Sequence, residues 1–256
     1  MSFLKSLLTA AGRVPLLAKP TKWMRRKCFA VSEDALYEAI YTPEFARLQE
    51  QFGQGEEEPG KKRLRDPRKY VLELKRVLRQ NLRLVDYLGL YGRPSMDILD
   101  LGCGPGYFMK ICEMLGHRVT GLDIDTSKIF RKVIRHLQLR RVIVRIEPFT
   151  PLPALETAPY DLITAFAICF NCHDTPQLWT AKEWAFFLDD INRFLKPGGM
   201  LHLWLNAEHG APEGQEYYTP ELRDFFLSRG ARIDGAHVTL TKKPSGCAGG
   251  CCCECR

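Results

Sequence analysis

Residues 97–108, DILDLGCGPGYF, run an apolar segment straight into a turn with three glycines in five residues. Ile98, Leu99 and Leu101 read as a short buried strand. Gly102, Gly104 and Gly106 then remove every second Cβ from the turn, so its backbone can approach a ligand closely. Beyond it, Phe108, Ile111, Cys112 and Leu115 recur at helical spacing, and Gly116 suits the helix stop. A strand, a bare loop and a helix N-terminus together offer free N–H groups to the polar part of a nucleotide-like cofactor.

The glycine spacing separates two cofactor classes. A dinucleotide fingerprint reads G-x-G-x-x-G, whereas here the third glycine comes one place early and Tyr107 occupies its position. The expectation is that NAD is not the ligand. The stretch Asp100, Leu101, Gly102, Cys103, Gly104, Pro105, Gly106 instead resembles motif I of class I S-adenosylmethionine-dependent methyltransferases. The resemblance implies that Asp100, Gly102, Cys103, Gly104 and Gly106 belong to a site for S-adenosyl-L-methionine.

Further matches follow at the spacing such a fold demands. RVTGLDID is a second short strand ending in Asp123, whose carboxylate is placed to accept both hydroxyls of a ribose. Ile124 would lie against the adenine, and Asp125 has no assigned contact. YDLITAFAI resembles the family's fourth strand, with Ala165 placed at the cofactor. INRFLKPGGMLHLWLN resembles its R-x-L-K-P-G-G turn into a fifth, through Lys196, Pro197, Gly198 and Gly199. One departure stands out. Many relatives carry Asp just after the third strand, to meet the adenine amino group, and here Glu147 lies one place off and is followed by Pro148.

From Asp97 onward, strands and helices alternate: strands near 97–101, 118–123, 141–147, 161–168 and 200–206, helices at 106–115, 126–137, 180–195 and 220–229, and two last strands about Gly235. This predicts an α/β fold, a Rossmann-like and mostly parallel sheet of seven strands with helices on both faces. Ahead of it, Ser32 caps a helix running to about Phe52. Asp66 and Pro67 open a long one with Val71, Leu74, Leu78, Leu82 and Val85 on one stripe. The expected divisions are a basic arm (1–31), an N-terminal helical segment (32–92), the methyltransferase domain (93–243) and a cysteine-rich disordered tail (244–256).

The formal net charge of +7 is concentrated. Residues 61–83 hold ten basic residues against Asp66 and Glu73. The preferred reading is a solvated helix face, and the alternative is a footprint for RNA. No acid precedes Glu33, so residues 1–31 read as a basic arm or, alternatively, a transit peptide; Arg13 and Lys19 interrupt the apolar run that a secretory signal needs. No stretch reaches the roughly 20 apolar residues of a membrane span.

Ten cysteines suggest a disulfide framework until their positions are considered. Cys103, Cys112 and Cys169 fall at buried places where a reduced thiol acts as a small hydrophobe, which favours a reducing cytoplasm. Cys247, Cys251, Cys252, Cys253 and Cys255 lack the paired spacing of a structural zinc site, so no metal is expected.

The reaction implied by the resemblance is in-line methyl transfer, in which alignment and exclusion of water do most of the work. Asn171, Cys172, His173 and Asp174 follow the fourth strand, and His173 is the candidate general base, a polar loop being the alternative. The acceptor expected is a small molecule or a sugar or lipid headgroup. RNA, and a non-catalytic binding module, are the other readings.

Overall fold

The computed structural model of the chain describes residues 31–53, 66–167, 179–207, 213 and 216–244. Four helices lead: α1 (Glu33–Ile40), α2 (Pro43–Gly53), α3 (Lys69–Leu72) and α4 (Leu74–Leu88). The alternating part follows as β1 (Asp97–Leu101), α5 (Tyr107–Met114), β2 (Arg118–Asp123), α6 (Lys128–His136), β3 (Arg141–Ile143), β4 (Tyr160–Phe166), α7 (Ala181–Arg193), β5 (Leu195–Trp204), α8 (Pro220–Ser228), β6 (Arg232–Asp234) and β7 (His237–Thr241). The seven strands form one sheet in the order β3-β2-β1-β4-β5-β7-β6, parallel except where β7 runs antiparallel to β5 and β6.

Side chains of the central strands alternate between two cores. Ile98 and Leu162 join the apolar cluster under α1 to α6, while Leu99, Leu101, Ile163 and Ala165 join the one under α7 and α8 around Trp184 and Phe226. Period-2 alternation in a sheet covered on both faces produces this division. The leading helices share the first cluster with α5 and α6, through Leu36, Phe45, Leu78 and Val85. They therefore bury their stripe on the helix that follows the glycine loop.

Several boundaries depart from the sequence reading. The helix expected from Ser32 to Phe52 is two, because Pro43 starts α2 and has no N–H to continue α1; Ser32 Oγ caps α1 by accepting from Ala35 N–H at 3.0 Å. The helix expected from Pro67 begins as a turn in which Asp66 accepts from Arg68 N–H at 2.8 Å. Glu73, at φ −109° and ψ 40°, then separates α3 from α4. Leu82 is only partly buried, and Val77, Leu84 and Leu88 complete the apolar stripe instead. Strand β3 stops at Ile143 rather than 147, since its neighbour β2 ends at Asp123 and the bond from Val144 N–H to the Asp123 carbonyl closes the ladder.

Strand β5 starts at Leu195, earlier than expected, through an irregularity opposite Tyr160 and Leu162. A Cβ on Gly199 would lie 2.8 Å from the Lys196 carbonyl oxygen and 2.9 Å from that of Tyr160, so only glycine fits this turn. Lys196 Nζ lies 2.8 Å from both Asp97 and Asp161 and ties the starts of β1, β4 and β5 together. Among the described residues, no helix is long and apolar enough to cross a membrane.

Candidate cofactor and acceptor site

The strand order reverses at β1, whose parallel neighbours β2 and β4 lead to opposite sides of the sheet. A crevice at the carboxyl ends of the strands forms at such a point. The glycine loop crosses it. Gly102 (φ 66°), Gly104 (φ 54°) and Gly106 (φ 82°) all take left-handed backbone, a conformation costing other residues about 1–2 kcal/mol each. The loop is pinned from below by N–H bonds from Gly102 and Cys103 to the Leu122 carbonyl, at 2.6 and 3.2 Å.

From the side, Asp123 Oδ2 accepts the Gly104 N–H at 2.6 Å, and its Oδ1 accepts the Ile124 N–H at 2.7 Å. Burial raises the pKa of this carboxyl, against the two N–H donors and the nearby Arg141 guanidinium. One lone pair on each oxygen is so engaged, and the carboxylate still lines open space.

Two cavities meet at the loop. The first, about 360 Å³, lies between Gly102, Gly104, Asp123, Ile124, the Phe130 ring of α6 and residues 144–146 after β3. The second, about 210 Å³, lies between Asp100, Cys103, Pro105 and α5 on one side and Gln80, Asn81 and Leu84 of α4 on the other. Tyr70, Gly102, Gly104, Phe166 and Ala167 line both. Trp204 closes the second cavity, and Phe166 sits edge-on to Phe108 with centroids 4.8 Å apart.

Asp100 is 2% exposed, and its Oδ1 accepts the Thr164 hydroxyl at 2.7 Å. Burial pushes its pKa up to about 7, opposed by that hydrogen bond and helped by the charge of Asp123. Cys103 and Cys112 are buried free thiols, both held protonated by burial. That fits the packing role expected of them; Cys169 lies outside the described residues.

The sequence-derived site residues are thus sorted by the fold. Asp100, Gly102, Cys103, Gly104, Asp123 and Ile124 all line the crevice. Gly106 does not. A Cβ there would lie 2.5 Å from Leu139 Cδ1 and 2.6 Å from Ile134 Cδ1, so this glycine lets the loop seat on the end of α6. Ala165 is 2% exposed within β4, and the cavity wall at this edge is its chain neighbours Phe166 and Ala167. Glu147 is exposed and outside the first cavity, where Val144, Arg145 and Ile146 stand. Asp125, given no contact by the sequence reading, is an ion-pair hub. It meets Arg131 at 2.9 Å and Arg141 at 2.6 Å, and the Arg141 side chain is only 7% exposed.

His173, with Asn171, Cys172 and Asp174, lies outside the described residues, as do residues 1–30 of the basic arm and 245–256 of the cysteine-rich tail. Sequence reasoning missed Tyr70, Phe130, Arg145 and Trp204. Phe166 and Ala167 were within reach of it, as the next two residues of a recognised strand.

A glycine loop and a strand-end carboxylate at the reversal of a parallel sheet define a protein of the nucleoside-cofactor-binding α/β class. Comparison with known proteins narrows this. A family model described as a methyltransferase domain matches residues 72–241, and the chain belongs to that family, as a class I S-adenosylmethionine-dependent methyltransferase. The probable S-adenosylmethionine-dependent methyltransferase of Mycolicibacterium smegmatis is 30% identical over 107 residues, 41% of this chain and 36% of that protein. The ubiquinone biosynthesis O-methyltransferase of Bordetella parapertussis is 26% identical over 155 residues, 56% of this chain and 62% of that protein. The chain therefore covers less than two thirds of the length of either. Among solved structures, Streptomyces venezuelae DesVI aligns at 12% identity with a TM-score of 0.47, over 68% of this chain and 94% of that one.

Proposed function

We propose that this chain transfers a methyl group from S-adenosylmethionine to an oxygen of a small-molecule acceptor. The observation that carries the reading is the pair of cavities sharing Gly102 and Gly104. One of them suits a nucleoside, and the other continues from the loop toward helices outside the sheet.

The residues fit the cofactor. Asp123, with one lone pair of each oxygen already engaged, presents the remaining ones to the ribose hydroxyls. Ile124 and Phe130 supply apolar walls for a flat base. Gly104 leaves room for the ligand, since even a Cβ built on it would come no closer than 3.8 Å to Phe130. Asp100 stands in the second cavity as the acid available to a cationic amino group. When bound, the sulfonium supplies an electrophilic methyl group, which the acceptor oxygen attacks as S-adenosylhomocysteine departs. The chain's part is to align the two and to exclude water with Tyr70, Phe108, Phe166 and Trp204. Cys103 and Tyr107 are held protonated by burial and so are unsuited to act as bases. His173 remains the candidate to take the acceptor's proton.

The reading of oxygen as the accepting atom draws on the printed name of the Bordetella relative. A nucleic-acid footprint on α4 has little support. Arg79 is held by Glu33 in a paired contact at 3.0 and 2.7 Å, and Arg76 by Glu73, so two of the four cations of this helix are engaged within the helices themselves. Calorimetry with S-adenosylhomocysteine and NAD, followed by transfer of labelled methyl to panels of phenols, carboxylic acids and RNA, tests the proposal. Binding of the first ligand only, with label on a small oxygen acceptor, is expected. NAD binding without S-adenosylhomocysteine binding would remove the cofactor, and label on RNA alone would remove the acceptor class.

A further inference from the structure

Resting on the cofactor reading above, we propose that Arg145 reads the purine edge of the bound nucleoside, so that the site accepts a 6-oxopurine alongside adenine. The placement follows from the sheet. Moving outward from the reversal, the glycine loop follows β1, Asp123 ends β2, and residues 144–146 follow β3. A nucleoside whose tail meets the loop and whose ribose meets Asp123 must lay its base at the third position. There the first cavity is walled by Ile124, Phe130 and Ile146, and Arg145 is its one cationic residue among the described residues.

The Arg145 side chain is exposed and makes no ion pair or hydrogen bond among the described residues. The neighbouring Arg141 is by contrast occupied by Asp125. Glu147, the nearest acid in sequence, stands outside the cavity. The charged residue that lines the cavity after β3 is therefore a donor and not an acceptor.

That exchange has a chemical consequence. A guanidinium has five N–H donors and no acceptor. Adenine offers it N7 or N1 but meets it with a second donor at the 6-amino group. A 6-oxopurine offers O6 and N7 side by side, the pair an arginine engages with both arms when it reads guanine in DNA. A carboxylate in that place would do the opposite, accepting from the amino group and repelling the oxo group.

The test is titration of the full chain, as wild type, R145E and R145A, with S-adenosylhomocysteine and with its deaminated counterpart S-inosylhomocysteine. The ratio of the two dissociation constants is the readout, because loss of fold or of overall charge affects both ligands alike. R145E should shift the ratio toward the adenine compound by at least about fivefold, with R145A moving the same way by less. A shift below about fivefold in R145E, with S-adenosylhomocysteine binding intact, overturns the assignment of Arg145. Failure of the wild type to bind S-adenosylhomocysteine overturns the cofactor reading itself and this inference with it.

Discussion

The Asp123 carboxylate accepts the Gly104 N–H at 2.6 Å across the gap between the end of β2 and the glycine loop. One side chain thus holds the loop in shape and forms the polar wall of the first cavity. Replacing it removes an anchor of the loop and, on the proposed function, a contact to the ribose.

Asp123→Ala should weaken S-adenosylhomocysteine by at least about tenfold, since hydrogen bonds to a charged group contribute roughly 1.5–3 kcal/mol. Asp125 is unsuitable as a control. Removing it would take the carboxylate partner from Arg141, whose side chain is only 7% exposed, and so disturb the end of β2 for reasons unrelated to a ligand. Glu147→Ala, on an exposed residue outside the cavity, is the appropriate control and should bind as wild type. Equal affinities for Asp123→Ala and Glu147→Ala by calorimetry would refute the ribose assignment.

Two glycines of the same loop should fail in different ways. Gly106→Ala drives a Cβ into Leu139 and Ile134 at φ 82°, so thermal stability should drop by about 1–3 kcal/mol from overpacking, and by more with the backbone cost. Gly104→Ala meets only Phe130, at 3.8 Å, but fills space in the first cavity. It should cost stability only about 1–2 kcal/mol while reducing ligand affinity the more. Melting curves with and without S-adenosylhomocysteine separate the two, and identical profiles would contradict the distinction.

That contrast marks the limit of what the chain reveals unaided. Asp100, Gly102, Gly104 and Asp123 are legible because each sits at the end of a short apolar strand, where the period of the strand and the reversal of the sheet fix its place. Gly106 is legible as a necessary glycine, but its role depends on Leu139 and Ile134, which approach it only after α6 has folded back. Tyr70 and Phe130 reach the site from helices whose packing no local pattern encodes. The KPGG turn is plain in the sequence, yet it suggests a strand beginning after it; the pairing of Leu195 with Tyr160 across the bulge is a property of the sheet rather than the segment. Arg145 carries no local signal, because only the end of β3 at Ile143 places it in the cavity and Glu147 outside.

Tyr107, which takes the place of a dinucleotide glycine, has a structural task of its own. Its buried hydroxyl donates to the Tyr70 carbonyl at 2.7 Å and so fixes α3, whose Tyr70 lines both cavities. Tyr107→Phe should cost about 1 kcal/mol of stability, the usual worth of one such bond. Ligand affinity should fall with it, and hydrogen exchange across residues 69–72 should quicken. Unchanged exchange in that segment would show that the bond does not hold the wall in place.

Asp100 should make stability depend on pH, because burial pushes its pKa up to about 7. An acid whose pKa is higher in the folded state than in the unfolded one binds protons more tightly when folded. Its contribution is therefore favourable below its unfolded pKa, near 3.8, and is lost as pH rises through about 7. His202 acts in the opposite sense. Burial lowers its pKa to about 4, so its contribution is present above 6.5 and declines as pH falls toward 4. The two slopes partly cancel in the wild type, and the acid must be isolated by substitution. Asp100→Asn keeps an oxygen for the Thr164 hydroxyl, 2.7 Å away in the wild type, and removes the titration. The variant should therefore be more stable than wild type at pH 8, by on the order of 1.4 kcal/mol for each pH unit that separates the folded pKa of the acid from its unfolded one. The advantage should hold down to about pH 7 and shrink from there to pH 5. Denaturant unfolding of both proteins across this range gives the difference directly. A difference that is constant with pH would show that Asp100 does not titrate in the folded chain between 4 and 7, and would leave its carboxyl ionised beneath the glycine loop throughout.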